Sequence, residues 1–149
     1  DWCGGGMYND SGSPCVSSCT FRANWADARG GGIYNTNGSS PMVTDSTLAE
    51  NVAKHGAGLS SDGGSPTLTN CTFKGNSPLY YNSYSQGSGG GMYNSGGSPT
   101  LTNCTFSGNL AIRNQYGGGG CGGGMYNSQG NPILTNCTFS RNSIISDHY

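Results

Sequence analysis

Lone apolar residues set among small polar ones recur along this chain at regular intervals. The first place is a glycine run ending in an aliphatic residue: Gly4-Gly5-Gly6-Met7, Gly30-Gly31-Gly32-Ile33, Gly56-Ala57-Gly58-Leu59, Gly89-Gly90-Gly91-Met92 and Gly122-Gly123-Gly124-Met125. The second is Phe or Leu followed three residues later by Asn: Phe21 and Asn24, Leu48 and Asn51, Phe73 and Asn76, Phe106 and Asn109, Phe139 and Asn142. From aliphatic to Phe or Leu is 14 residues in four repeats and 15 in the second. Within this arm the runs Met-Tyr-Asn, Thr-Leu-Thr and Cys-Thr-Phe predict three short strands separated by turn residues. No 3.6-residue period appears, and Gly and Pro at fixed offsets exclude helices. The whole repeat is 26, 26, 33 and 33 residues long, a range that signals stacked units.

Three strands and three bends per repeat predict an all-β chain, a solenoid of about five coils of single-stranded parallel β-helix. One domain spans 1–149, with coils starting near 4, 30, 56, 89 and 122. Gly and Asn suit bends that need positive φ. Pro14, Pro41, Pro66, Pro99 and Pro132 precede the second strand, where a missing N–H costs little. Extra length falls in the other arm, so 77–88 and 110–121 are expected to form surface loops. In-register coils stack equivalent residues into rows about 4.8 Å apart. Four rows are expected inside: Met7, Ile33, Leu59, Met92, Met125; Val16, Val43, Leu68, Leu101, Leu134; Phe21, Leu48, Phe73, Phe106, Phe139; and Cys19, Ser46, Cys71, Cys104, Cys137. The row Asn24, Asn51, Asn76, Asn109, Asn142 is expected to cap a bend. Tyr8, Tyr34, Tyr93 and Tyr126, with Ser60 as the gap, should face outward.

The paired glycine-aliphatic and Phe-x-x-Asn elements resemble the repeats of chlamydial polymorphic outer-membrane proteins. More broadly they are similar to the right-handed parallel β-helix repeats of pectate-lyase-like bacterial surface proteins. All five copies of each element match in spacing, with Leu48 for Phe and Ala57 for Gly. The resemblance implies a right-handed coil and a place outside the cell or on its surface. It does not fix a function, because this fold carries lyases, adhesins and structural proteins alike.

Composition narrows the function classes. There are 28 Gly, 9% charged residues and a net charge of −1. Near-neutrality and scattered basic residues give no footprint for nucleic acid or an anionic membrane. No apolar run reaches the roughly 20 residues of a membrane helix, so no membrane insertion is expected. Asp1, Asp10, Asp27, Asp45, Glu50, Asp62 and Asp147 form no carboxylate pair in neighbouring coils, and His55 and His148 stand apart. No catalytic residue, metal site or cofactor is therefore expected. The cysteine row reads as packing, since buried Cys acts as a small hydrophobe. The outward Tyr row reads as stabilising, with surface glycans as a possible partner. Of the Asn-x-Ser/Thr and Asn-Cys-Thr sites, Asn70, Asn103 and Asn136 read as bend residues, and Asn37 is the best-placed glycosylation candidate.

The chain opens on Asp1-Trp2-Cys3 with no initiator Met or signal peptide, as expected of a processed chain or a piece of a longer one. No capping segment is evident, although solenoid ends usually carry one. If a second copy followed the first, its Met7 would lie 17 positions beyond Phe139, within the internal range of 11 to 19. Cys3 and Cys121 alone precede a glycine run directly, in the first and last coils. The expectation is an extracellular structural protein whose partner is itself, stacked head to tail into a filament. Met7, Cys19, Phe21, Met125, Cys137 and Phe139 would meet at the joint, stapled by a Cys3–Cys121 disulfide between subunits. A local pairing such as Cys3 with Cys15 is the alternative for the thiols. The alternatives for the chain are a fragment of a larger surface adhesin or carbohydrate-binding protein and, on its Thr-Leu-Thr rows, an ice-binding protein.

Overall fold

A computed structural model describes residues 2–79, 86–114 and 120–146. Coil 1 contains β1 (Met7–Asp10), β2 (Cys15–Ser17) and β3 (Thr20–Arg22). Coil 2 contains β4 (Ile33–Thr36), β5 (Met42–Thr44) and β6 (Thr47–Ala49), and coil 3 contains β7 (Leu59–Asp62), β8 (Thr67–Thr69) and β9 (Thr72–Lys74). Coil 4 has β10 (Met92–Ser95), β11 (Thr100–Thr102), β12 (Thr105–Ser107) and β13 (Leu110–Arg113). Coil 5 has β14 (Met125–Ser128), β15 (Ile133–Thr135), β16 (Thr138–Ser140) and β17 (Ser143–Ser146). Each coil gives one strand to each of three five-stranded parallel sheets. The described residues contain no helix.

Register turns the repeat into rows. Met7 pairs with Ile33, Ile33 with Leu59, Leu59 with Met92 and Met92 with Met125. Phe21, Leu48, Phe73, Phe106 and Phe139 follow one another in the third sheet. The core is built from these rows together with the Val/Leu row and Cys71 and Cys104. Phe73 stacks on Phe106 at 4.4 Å and Phe106 on Phe139 at 4.7 Å, with rings within 4° of parallel.

Two glycines of each run have separate physical reasons. The first adopts positive φ, between 58° and 68° across the five coils, which L side chains rarely adopt. The third lies against the Phe ring and the Asn amide. A Cβ on Gly58 would come to 3.0 Å from Phe73 Cδ1 and 3.2 Å from Asn76 Nδ2. Ala57 is tolerated at the second place, where it is fully buried and packs with Ala26 and Ala53.

The longer arms depart from the expected loops. Leu110–Arg113 is strand β13 and pairs in parallel with β17, Ile112 opposite Ile145. Ser77 bridges to Val52, Gly87 to Ile112 and Ser88 to His55. Within 77–88 and 110–121 the segments 80–85 and 115–119 lie outside the described residues. Leu110-Ala111-Ile112-Arg113 and Ser143-Ile144-Ile145-Ser146 make a fourth, two-stranded wall, with Ala111 and Ile112 buried.

Candidate functional site

The Phe-x-x-Asn element is a hydrogen-bonding unit. Asn76 Nδ2 donates to the Leu48 carbonyl at 2.9 Å and to Asn109 Oδ1 at 2.9 Å. Its Oδ1 accepts from the Asn51 backbone N–H and Nδ2, both at 3.0 Å. The same pattern runs from Asn24 to Asn142. Asn70, Asn103 and Asn136 form an outer row at positive φ, each amide donating to the residue one coil before, ending on Asp45. Asn37 is exposed at positive φ, with its amide on Asp10 Oδ1 at 2.7 Å.

A second inward Asn row was not anticipated: Asn9, Asn35, Asn94 and Asn127, interrupted by Ser61. Asn9 donates to Asn35 and Asn94 to Asn127, each at 2.7 Å. Ser61 is too short to continue the row, so Asn35 Nδ2 and Asn94 Oδ1 are buried without a hydrogen-bond partner.

The same coil gathers a polar cluster on the outer face. Cys3, Arg29, His55 and Ser88 lie in one bridging row, and Cys121 continues it through its N–H on Ser88 Oγ at 3.1 Å. Ser60 replaces the tyrosine of its row, between Tyr34 and Tyr93. The Arg29 side chain extends into that gap. Its Nη1 donates to both Asp62 oxygens at 2.5 and 2.6 Å, and its guanidinium lies 5.5 Å from the Tyr93 ring centre. Tyr34 donates its hydroxyl to Asp62 at 2.8 Å, and His55 packs on Tyr93 at 5.1 Å. Burial lowers the His55 imidazole to about 4, helped by the charges of Lys54 and Arg29 and opposed by Asp62. Burial also raises the Tyr34 and Tyr93 phenols. His55 Nδ1 and Ser60 Oγ are buried and unpartnered.

His55 is thus not the isolated residue that sequence suggested. Arg29 shares its row, but Asp62 and Tyr93 come from other offsets, which row-by-row comparison misses. A signal was present: His55, Ala57, Ser60 and Ser61 all depart from the commonest repeat, and all fall in one coil. Chemically the cluster holds Asp62 as the acceptor of Arg29 and Tyr34. His55 makes no hydrogen bond to Ser60 or Asp62, so the three do not form a nucleophile relay. Glu50 is engaged by Arg22 on the surface. A shallow open groove lined by Lys74, Gly75, Ser107, Gly108, Ser140 and Arg141 brings no opposed acid and base together.

The expected joint residues lie at the two ends of the stack. Met7 and Phe21 are half-buried in coil 1, where Cys19 is exposed. In coil 5, Met125 and Cys137 are half-buried. Phe139 is 45% exposed and Leu134 41%, whereas Phe106 and Leu101 beneath them are fully buried. Ile133, Ile144 and Ile145 are exposed beside them. Cys3 and Cys121 occupy opposite ends of one row, four coil steps or about 19 Å apart. They are too distant to bond within one chain. No disulfide is formed among the described residues, neither Cys3–Cys15 nor any other. His148, Asp1 and Asp147 lie outside those residues.

No curated protein and no solved structure matches the chain. A family model described as the right handed beta helix region matches residues 1–139, which speaks to the fold and not to the chlamydial surface proteins in particular. Parallel sheets, in-register rows and this match together place the chain in the right-handed β-helix family.

Proposed function

We propose that this β-helix is a structural element of the extracellular space or cell surface, and that copies stack head to tail into a filament. The observation that supports it most is the coil 5 face. Leu134, Phe139, Ile144 and Ile145 are core-type residues left exposed. Coil 1 offers each inner row a residue of the same kind: Met7 for Met125, Asn9 for Asn127, Val16 for Leu134, Phe21 for Phe139 and Asn24 for Asn142. A joint would also place Cys121 one coil from Cys3 of the next copy, within disulfide range. The reading as a non-enzyme rests on Asp10, Asp45, Glu50 and Asp62, which each hold a partner instead of facing one another.

Electron microscopy and light scattering of the wild-type chain test the proposal. Fibres with an axial repeat near 24 Å, about five coils, are expected. Leu134→Asp should stop their growth, because a buried unpaired carboxylate is costly at the joint. Monodisperse single chains at high concentration, without denaturant, would sink the idea. Non-reducing electrophoresis separately tests the Cys3–Cys121 staple: a ladder of multimers supports it, and monomer alone removes it.

A second reading has its own observation. Trp2, Tyr8 and Trp25 are exposed in coil 1, and Tyr8 contacts Tyr34 edge-on at 5.4 Å. Exposed aromatic faces of this kind suit surface glycans. Glycan-array binding lost in Trp25→Ala, with assembly unchanged, would favour an adhesin.

A further inference from the structure

The fourth inward row differs from the others because it carries thiols. Ser46 interrupts it, but Cys71, Cys104 and Cys137 follow in consecutive coils. Each comes directly after a positive-φ Asn. Each thiol donates to the carbonyl two residues before it, Thr69, Thr102 and Thr135, at 3.4 Å, so all three share one orientation. Register is fixed by Thr105 N–H on the Cys71 carbonyl and Thr138 N–H on the Cys104 carbonyl, both 2.9 Å. Successive cysteines are therefore one strand spacing apart, about 4.8 Å, inside the Cα range of a disulfide. Closing the bond asks the Cβ atoms to approach by about 1 Å. Cys71 and Cys104 are 1% exposed, whereas Cys137 is half-buried at the coil 5 face.

We propose that Cys71, Cys104 and Cys137 form an oxidisable thiol row, in which a small disulfide entering at Cys137 becomes a disulfide between coils. The Cys137 thiolate attacks the small disulfide, forming a mixed disulfide and releasing one small thiolate. Cys104 gives its proton to that thiolate and attacks the Cys137 sulfur, expelling the second small thiolate. The result is a Cys104–Cys137 bond. Cys71 then attacks the Cys104 sulfur and returns Cys137 to a thiol. Overall two protein thiols are oxidised and one small disulfide is reduced to two thiols. This inference concerns the dispersed chain, in which the coil 5 face leaves Cys137 half-buried.

The test uses the whole chain, folded, with glutathione disulfide, followed by alkylation, digestion and mass spectrometry. The expected result is loss of two hydrogens and a Cys104–Cys137 crosslink, passing in time to Cys71–Cys104, with a higher thermal midpoint reversed by reductant. Cys104→Ser should instead hold a lasting glutathione adduct on Cys137. Cys71 and Cys137 are then two coils, about 10 Å, apart. Serine is already accommodated in this row at Ser46, buried in coil 2. A lasting glutathione adduct on Cys137 in the wild-type chain would overturn the proposal, as would a Cys104 that reacts only in denaturant. Either result would leave the row as packing.

Discussion

Asn76 shows what one residue does in this fold. Its amide touches three coils, and every polar atom it carries is used within a dry interior. Asn76→Ala leaves the Leu48 carbonyl and the Asn51 amide buried without those partners, which costs about 1–3 kcal/mol for each group so stranded. The expected loss in urea titration is about 2–4 kcal/mol. Asn142→Ala, half-buried in the last coil, should cost about 1 kcal/mol, because water can replace what is lost. Equal costs at the two positions would mean the row is not a continuous network. The capping role of this row was legible in the Phe-x-x-Asn spacing. The second Asn row was also present in principle, since Met, Tyr, Asn along a strand must read in, out, in. It went unread because an inward Asn is normally expensive unless a partner is supplied. Here the partner is the same residue one coil away, which only register reveals.

At the scale of one coil, the third is the exception on which the others lean. Its short Ser60 leaves the gap that Arg29 fills, and its Asp62 anchors that arginine from the far side. The pH response follows from His55, which faces Arg29, Lys54, Asp62 and the Tyr93 ring. Its folded value near 4 lies below the ordinary 6.5, so between those values the unfolded chain binds the extra proton. Stability is therefore full above about pH 6.5 and falls as pH drops towards 4. After a discount for partial exposure the effect is about 1–2 kcal/mol. His55→Gln should flatten this part of the curve, leaving only the carboxylate losses at lower pH. Thermal midpoints measured from pH 7 to pH 4 decide it, and an unchanged slope in the variant would assign the loss to other groups. This cluster was illegible row by row, because Asp62, Tyr34 and Tyr93 lie at other offsets than the row that holds Arg29 and His55. β13 and β17 were hidden for a related reason. They belong to the arm without a repeated motif, and only their pairing, Ala111-Ile112 beside Ile144-Ile145, marks them as strands.

At the scale of the whole molecule, five coils leave two edges, and edges of parallel sheet are normally covered or charged. The cost of truncating a phenylalanine depends on which coil holds it. Phe106 lies between Phe73 and Phe139 and is fully buried. Truncating it to Ala removes packing on both sides, with an expected loss of about 3–5 kcal/mol. Phe139 has Phe106 on one side only and is 45% exposed, so Phe139→Ala in a dispersed chain should cost roughly half as much. If copies stack, Phe21 of the next chain supplies the missing neighbour, and Phe139 becomes a core residue. Its truncation should then cost about half the Phe106 value at low concentration and approach the full value at high concentration, where association adds to stability by mass action. Phe106→Ala should show no such dependence in its difference from wild type. Chemical denaturation of the three chains across a wide concentration range separates the cases. A Phe139→Ala cost that stays constant while the wild-type chain is concentrated would mean that the exposed rung is never covered by another copy.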